Sequence, residues 1–305
     1  MQMARVTVCL SVYNGAPTLA KSLESVFAQT YRDFDVLVLD DGSTDGSADI
    51  ARKFDCRLLE LPNGGRGAAL KRMVEEANGE LIALIDCDDV WLPDKLKEQV
   101  AQLDATGAAL VHADCWFEYS DGKIVERNLN LSAAHTAFDH ILPSNDVIAS
   151  SALFRRAEML ESGNFTPQTL RCCDWYGWFV LAPGRDFAHL PEKLVRYSVL
   201  STSLANSGFK FHQAQYFLLK DLILPRAGEL FAGLPDAQAN RYRHLIQQRA
   251  GIALSSMARA KEKEGDKKSA RSLHRQALRL APTVPRVWTR ALRSLLKSRD
   301  PGEIK

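Results

Sequence analysis

Apolar and polar residues in the first hundred positions alternate between two rhythms. Val6-Thr7-Val8-Cys9-Leu10-Ser11-Val12 is a short β-branched run closed by Asn14-Gly15, which predicts a strand and its turn. Residues 18–29 then place Leu19, Leu23, Val26 and Phe27 at helical spacing. Residues 34–39 are almost continuously apolar and stop at Asp40-Asp41-Gly42. Residues 43–53 read as a second helix, with Ser43, Thr44 and Asp45 all suited to capping its start. A third strand over 56–61, a third helix over 68–77 and a fourth strand over 80–85 continue the series. This order predicts an α/β, Rossmann-like fold, a mostly parallel sheet with helices on both faces. Ligands of such sheets bind beyond the carboxyl ends of the strands. Three polar clusters fall there: Tyr13-Asn14, Asp40-Asp41 and the acidic stretch 86–89.

Residues 109–203 are less regular. A strand is expected over 110–119, a turn at Asp121-Gly122 leading into 123–125, and an aromatic-rich helix over 174–181. From about residue 209 long helical patterns take over, with Lys or Arg every few positions. Residues 266–295 read as a helix, a break at Pro282 to Pro285, and another helix. Ala270, Ala277 and Pro282 give it the look of one tetratricopeptide-like hairpin, although a single partial repeat is a weak signal. The expected domains are 1–207, with halves of about 1–105 and 106–207, and a helical region over 208–305.

Composition narrows the function classes. The 305 residues carry a net charge of only +2, so no global field points to nucleic acid. No charged segment followed by an apolar stretch opens the chain, and no run of about 18 apolar residues occurs, which argues for a cytoplasmic protein without a spanning helix. Cys9, Cys56, Cys87, Cys115, Cys172 and Cys173 lack the spacing of a zinc or disulfide framework and read as reduced thiols. His112, His135, His140, His189, His212, His244 and His274 are scattered and form no zinc motif, and His112 reads as a satisfied core or rim histidine.

The richest chemistry lies in Leu81-Ile82-Ala83-Leu84-Ile85-Asp86-Cys87-Asp88-Asp89, an apolar strand ending in an Asp-x-Asp (DXD) cluster. Magnesium and manganese prefer oxygen ligands and share few carboxylates with substrate phosphates. Alternation along an extended chain puts Asp86 and Asp88 on one side. The bland alternative is that Asp88 or Asp89 caps a helix running from Pro93 to Leu103.

Four blocks now line up in order and spacing. They are Val8 to Gly15, Ser22-Leu23-Glu24-Ser25-Val26-Phe27-Ala28-Gln29-Thr30, Val38-Leu39-Asp40-Asp41-Gly42-Ser43-Thr44-Asp45-Gly46-Ser47, and Asn63-Gly64-Gly65 through Gly79-Glu80 to Pro93. Together they resemble the nucleotide-binding half of a family 2 glycosyltransferase with a GT-A fold, of bacterial type with a helical C-terminal extension. The resemblance implies an inverting, metal-assisted transfer from a nucleotide-sugar donor, UDP-sugar by preference, to a glycan or lipid-linked acceptor. Cell-envelope polysaccharide or glycoconjugate synthesis is the implied setting. Asp40 or Asp41 then accepts a hydrogen bond from the donor's base, with Ser11 and Tyr13 lining the pocket. Turn chemistry is the competing reading, since Asp-Gly and Asn-Gly are common turn formers. Asp86 approaches ribose or metal, and Asp88 is the principal ligand of Mg2+ or Mn2+. Lys71 or Arg72 approaches the diphosphate, although relatives often have Arg where this chain has Leu70, and a solvated helix face is the competing reading.

An acceptor hydroxyl needs a base to take its proton. In the resemblance that base is a carboxylate in a Glu-Asp pair opening a helix, here Cys173-Asp174. Asp174 is the expected base, with an N-cap as the alternative role. Cys173 departs from the family pattern, as do Ser198 and Leu200, which stand where relatives carry Arg and His. These departures keep open a nucleotide-sugar-binding protein that has lost turnover. At the far end, Arg286, Arg290, Arg293 and Lys297 alternate with Val287, Trp288, Ala291, Leu292, Leu295 and Leu296. A basic helix of this kind packs on a neighbour, lies peripherally on an anionic membrane, or pairs two copies as a homodimer. An interaction scaffold built on residues 209–305 is the remaining alternative.

Overall fold

The computed structural model describes residues 4–128, 136–142, 145–169, 171–200 and 208–296. His135, Lys297 and the segment 201–207 at the expected boundary lie outside them. The chain divides into two compact units, Met1–Ser201 and Thr202–Lys305.

In the first unit, β1 (Val6–Val12), β2 (Phe34–Asp40), β3 (Arg57–Glu60) and β4 (Leu81–Asp86) pair in parallel in the order β3-β2-β1-β4. Their near-continuous apolar runs follow from burial on both faces, and Val8, Cys9, Leu10, Val38, Leu39, Ile82 and Ala83 are all buried. The helices between them are α1 (Ala16–Phe27), α2 (Ser47–Ala51) and α3 (Arg66–Glu76). Only five residues of the expected 43–53 helix are helical. Gly46 takes φ 86°, and Asp45 spends its carboxylate on Ser47 and on the backbone N–H of Ala16, so 43–46 form a turn instead.

The parallel rhythm ends at β4, and the sheet as a whole is mixed. After β5 (Val90–Trp91) and α4 (Lys95–Thr106), the chain runs through β6 (Leu110–Tyr119), β7 (Ile124–Arg127), α5 (Ala137–Ile141) and β8 (Leu153–Arg155). Then come α6 (Arg156–Glu161), α7 (Cys173–Leu181) and β9 (Phe187–Val199). β8 lies antiparallel between β4 and β6, β9 runs parallel to β6, and β5 pairs antiparallel with β9. The β6–β9 register jumps from Ala113↔Leu190 to Asp114↔Lys193. Pro191, which has no N–H to give the ladder, falls in that bulge.

His112 is a core histidine, as expected, but only half satisfied. Its Nε2 lies 2.9 Å from Nδ1 of His140, while its Nδ1 has no partner among the described residues. His189 packs beside it and pairs with Asp114 at 2.7 Å. Burial, reinforced by the neighbouring imidazoles, pushes His112 down and His140 to about 4.

The second unit is helical: α8 (Phe209–Phe217), a π-helical stretch Leu218–Ile223, α9 (Ala227–Leu230), α10 (Asp236–Lys263), α11 (Lys267–Leu280) and α12 (Pro285–Leu296). Leu254, Met257, Ala277, Ala281 and Val287 form a core of its own. Gly251 lets α10 approach the end of α11, because a Cβ there would stand 2.4 Å from that of Ala281. The expected helix, proline break and helix are present as α11 and α12.

Candidate active site

The carboxyl ends of β1, β2 and β4 meet at one edge, where Ser11 stands in register with both Leu39 and Asp86. Tyr13, just past β1, is 56% exposed, so its ring is open to a ligand. The loop carrying it is laced to 43–47. Asn14 (φ 51°) accepts from the Thr44 N–H at 2.8 Å and donates its own N–H to Ser43 Oγ at 2.9 Å. The two carboxylates after β2 have different tasks. Asp41 spends both oxygens on the backbone N–H groups of Gly64 and Gly65, at 2.8 and 2.9 Å. Asp40 accepts from the Ser43 N–H at 2.7 Å through Oδ1, and among the described residues no side-chain bond reaches its Oδ2. Asp41 thus shapes the loop ahead of α3, and Asp40 keeps an oxygen for another donor.

At the end of β4 the chain turns, with the Asp89 N–H donating to the Asp86 carbonyl at 3.1 Å. Carboxylate oxygens of Asp86, Asp88 and Asp89 thereby come within 4.8 Å of one another. A turn gathers them, where alternation along a strand was expected. Asp89 is fully buried and committed at both oxygens: Oδ2 accepts from the Ser150 hydroxyl, and Oδ1 accepts from the Ser198 N–H at 2.8 Å. The Ser198 hydroxyl donates to the Asp88 carbonyl, and Ser150 Oγ in turn accepts the Asp86 N–H at 2.9 Å. Asp89 is therefore a buttress and caps no helix; α4 begins after Asp94, which makes no side-chain cap bond. Asp86 and Asp88 remain partly exposed. Burial and then the Asp86 charge push Asp88 up to about 6. Crowded hard oxygen donors with an unfavourable mutual charge suit a divalent cation.

The cation that the structure brings to this cluster is Arg66, whose guanidinium lies 2.5 Å from Asp86 Oδ1. Burial works against its charge, but the fields of Asp86 and Asp174 outweigh it. Lys71 and Arg72 instead form ion pairs with Glu75 and Glu76 along α3. Leu70 is core. Arg66 had a signal in the sequence: it opens a helix directly after Gly64-Gly65, where backbone and cation both suit phosphate.

Asp174 lies in the first turn of α7, near enough to Arg66 and Asp86 to feel both. Cys172, with φ 57°, takes the N-cap position and gives no side-chain cap; Asp174 Oδ2 instead accepts from Asn145 Nδ2 at 3.0 Å. Burial raises the Asp174 carboxyl, and Arg66, Asn145 and the Trp175 N–H hold the rise in check. Cys173 is buried and donates to the Thr169 carbonyl at 2.8 Å, so its thiol serves packing. Burial first, and then the charges of Asp89, Asp86, Asp174 and Asp88, push the phenol of Tyr197 on β9 up. Neither Asn145 nor Tyr197 stood out in the sequence, because both reach the cluster only through the fold.

A Rossmann-like half joined to a mixed sheet, with an acidic turn after β4, is the architecture of nucleotide-sugar transferases. This chain belongs to glycosyl transferase family 2, whose model matches residues 7–161. It is 34% identical over 118 residues to an uncharacterized glycosyltransferase of Nostoc sp., covering 36% of this chain and 37% of that one. It is 30% identical over 164 residues to the glycosyltransferase AglE of Haloferax volcanii, covering 51% and 54%. The matches thus span less than two thirds of these relatives. Among solved structures, S. aureus TarS 1–349 in complex with UDP-GlcNAc superposes with TM-score 0.69 at 17% identity, over 95% of this chain and 89% of that one. The mannosyltransferase PcManGT of Pyrobaculum calidifontis, in complex with GDP-Man and Mn2+, gives 0.56 at 21% identity, over 96% and 85%. These likenesses show that the GT-A fold is shared.

Proposed function

We propose that this chain transfers a sugar from a nucleotide-sugar donor to a hydroxyl of a glycan or lipid-linked acceptor, with inversion at the anomeric carbon. The observation that carries the reading is the gathering of Asp86, Asp88 and Arg66 in one field with Asp174. Asp88 and Asp86 would hold Mg2+ or Mn2+, which when bound would offset the charge on the leaving diphosphate. Arg66 orients Asp86 and adds positive charge on the same side. Ser11, Tyr13 and the free oxygen of Asp40 take the base and ribose, while Asp41 fixes the Gly64-Gly65 loop beneath them. Asp174 takes the proton from the acceptor hydroxyl, its carboxylate oriented by Asn145. Lys71 has no part in this scheme. The two solved neighbours, bound to UDP-GlcNAc and to GDP-Man with Mn2+, support a nucleotide-sugar donor and a manganese-like ion. We take a UDP-sugar as the first candidate and envelope polysaccharide or glycoconjugate synthesis in the cytoplasm as the setting.

Thermal unfolding against UDP, GDP, dTDP and CMP, each with and without Mn2+, tests this. A nucleotide at about a hundred times its dissociation constant adds about 2.7 kcal/mol to native stability. The expected outcome is a rise with UDP that requires metal, followed by release of UDP from a matching sugar donor. No rise with any nucleotide would overturn the proposal. Binding without release under any acceptor would establish a binding protein that has lost turnover.

A further inference from the structure

Residues 267–296, which form α11, α12 and the turn between them, contain eight Lys and Arg and no Asp or Glu. Lys268, Arg271, Arg275 and Arg279 recur every three or four residues, which aligns them on one face of α11. All four are exposed, and none forms an ion pair among the described residues. The opposite face, with Ala270, His274 and Ala277, is buried. On α12, Val287 and Ala291 are buried, Arg286 and Arg293 are exposed, and two large apolar side chains also point outward. Trp288 is 45% exposed and Leu292 50%, one helical turn apart.

We propose that the outward faces of α11 and α12 dock on an anionic lipid surface. The basic stripe supplies attraction to acidic headgroups, to which each nearby Lys or Arg contributes. The apolar pair selects a bilayer over a soluble polyanion, because only an interface offers Trp288 and Leu292 a medium to enter. The indole is ready for that step. Trp288 Nε1 already donates to the Pro282 carbonyl at 2.7 Å, so sinking the ring into the interface leaves no orphan donor. No helix among the described residues is long and apolar enough to cross a membrane.

Flotation of the full chain with vesicles of phosphatidylglycerol and phosphatidylcholine in equal parts, against phosphatidylcholine alone, tests the proposal. Partitioning should favour the anionic vesicles by at least about tenfold and weaken as salt screens the headgroups. The exposed triple variant Arg271→Gln/Arg275→Gln/Arg279→Gln should lose that preference, and Leu292→Ser should weaken binding severalfold. Neither should change the melting temperature. Brominated lipid should quench tryptophan emission in the parent chain. Equal partitioning to both vesicles, no partitioning, or full binding by the triple variant would overturn it. So would retention on a soluble polyanion such as heparin without any flotation.

Discussion

Removing the Asp88 carboxylate relieves a repulsion, since burial and Asp86 already push it up to about 6. Asp88→Asn should leave the melting temperature unchanged or higher while abolishing metal-dependent nucleotide binding, both read in one thermal-shift series. Its neighbour behaves oppositely. Asp89→Ala strands the part-buried Ser198 N–H and the buried Ser150 hydroxyl and should cost about 2–4 kcal/mol in denaturant unfolding. At the base, Asp174→Asn should preserve nucleotide binding and stop transfer; full activity in that variant would remove Asp174 from the mechanism. Asp86, Asp88 and Asp174 were legible because their neighbours in sequence form recognisable blocks. The division of labour between Asp40 and Asp41 was not, because it depends on which one meets the N–H groups of Gly64 and Gly65. The pairing of Arg66 with Asp86 was not legible either, and the spacing of Lys71 along the chain says nothing of its pairing with Glu75.

Among elements, β1 through β4 could be read directly, because a strand buried on both faces writes itself as an apolar run. β8 has three residues and β9 carries Pro191, so neither pattern announced the antiparallel turnover of the sheet. α3 is seated against the 166–169 segment through Gly67, where a Cβ would meet the carbonyl oxygens of Thr166 and Thr169 at 2.3 and 2.5 Å. Gly67→Ala should therefore destabilise by about 1–3 kcal/mol. It should also lower activity, since Arg66 and the approach to α7 shift together. α4 opens with a different strain. Lys95 is fully buried over the Trp91 ring at 3.9 Å, with no hydrogen-bond partner among the described residues. Burial pushes its amine down to about 7. Because the unfolded chain holds that proton up to about pH 10.4, native stability rises with pH between about 7 and 10. Lys95→Met should flatten that rise and be the more stable protein at pH 7, as measured by denaturant midpoints at both ends of the window.

For the whole molecule, near-neutral net charge conceals a division. Residues 1–207 hold 19 Lys and Arg against 29 Asp and Glu, and residues 208–305 hold 20 against 8. Copies of such a chain attract one another through unlike halves. Self-association should appear at low ionic strength and disperse near 0.1 M salt, where the screening length falls to about 10 Å. Sedimentation velocity across a salt series would show it. The Asp89 buttress carries a last consequence, in time and not in space. It joins Asp89 to Ser150, 61 positions on, and to Ser198, 109 positions on. Loops of that length close late, after local helices and the first parallel strands have formed. The acidic turn should thus take its final shape among the last events of folding. A nascent chain that has passed residue 161, the end of the family match, still lacks β9, whose Ser198 completes the acidic turn.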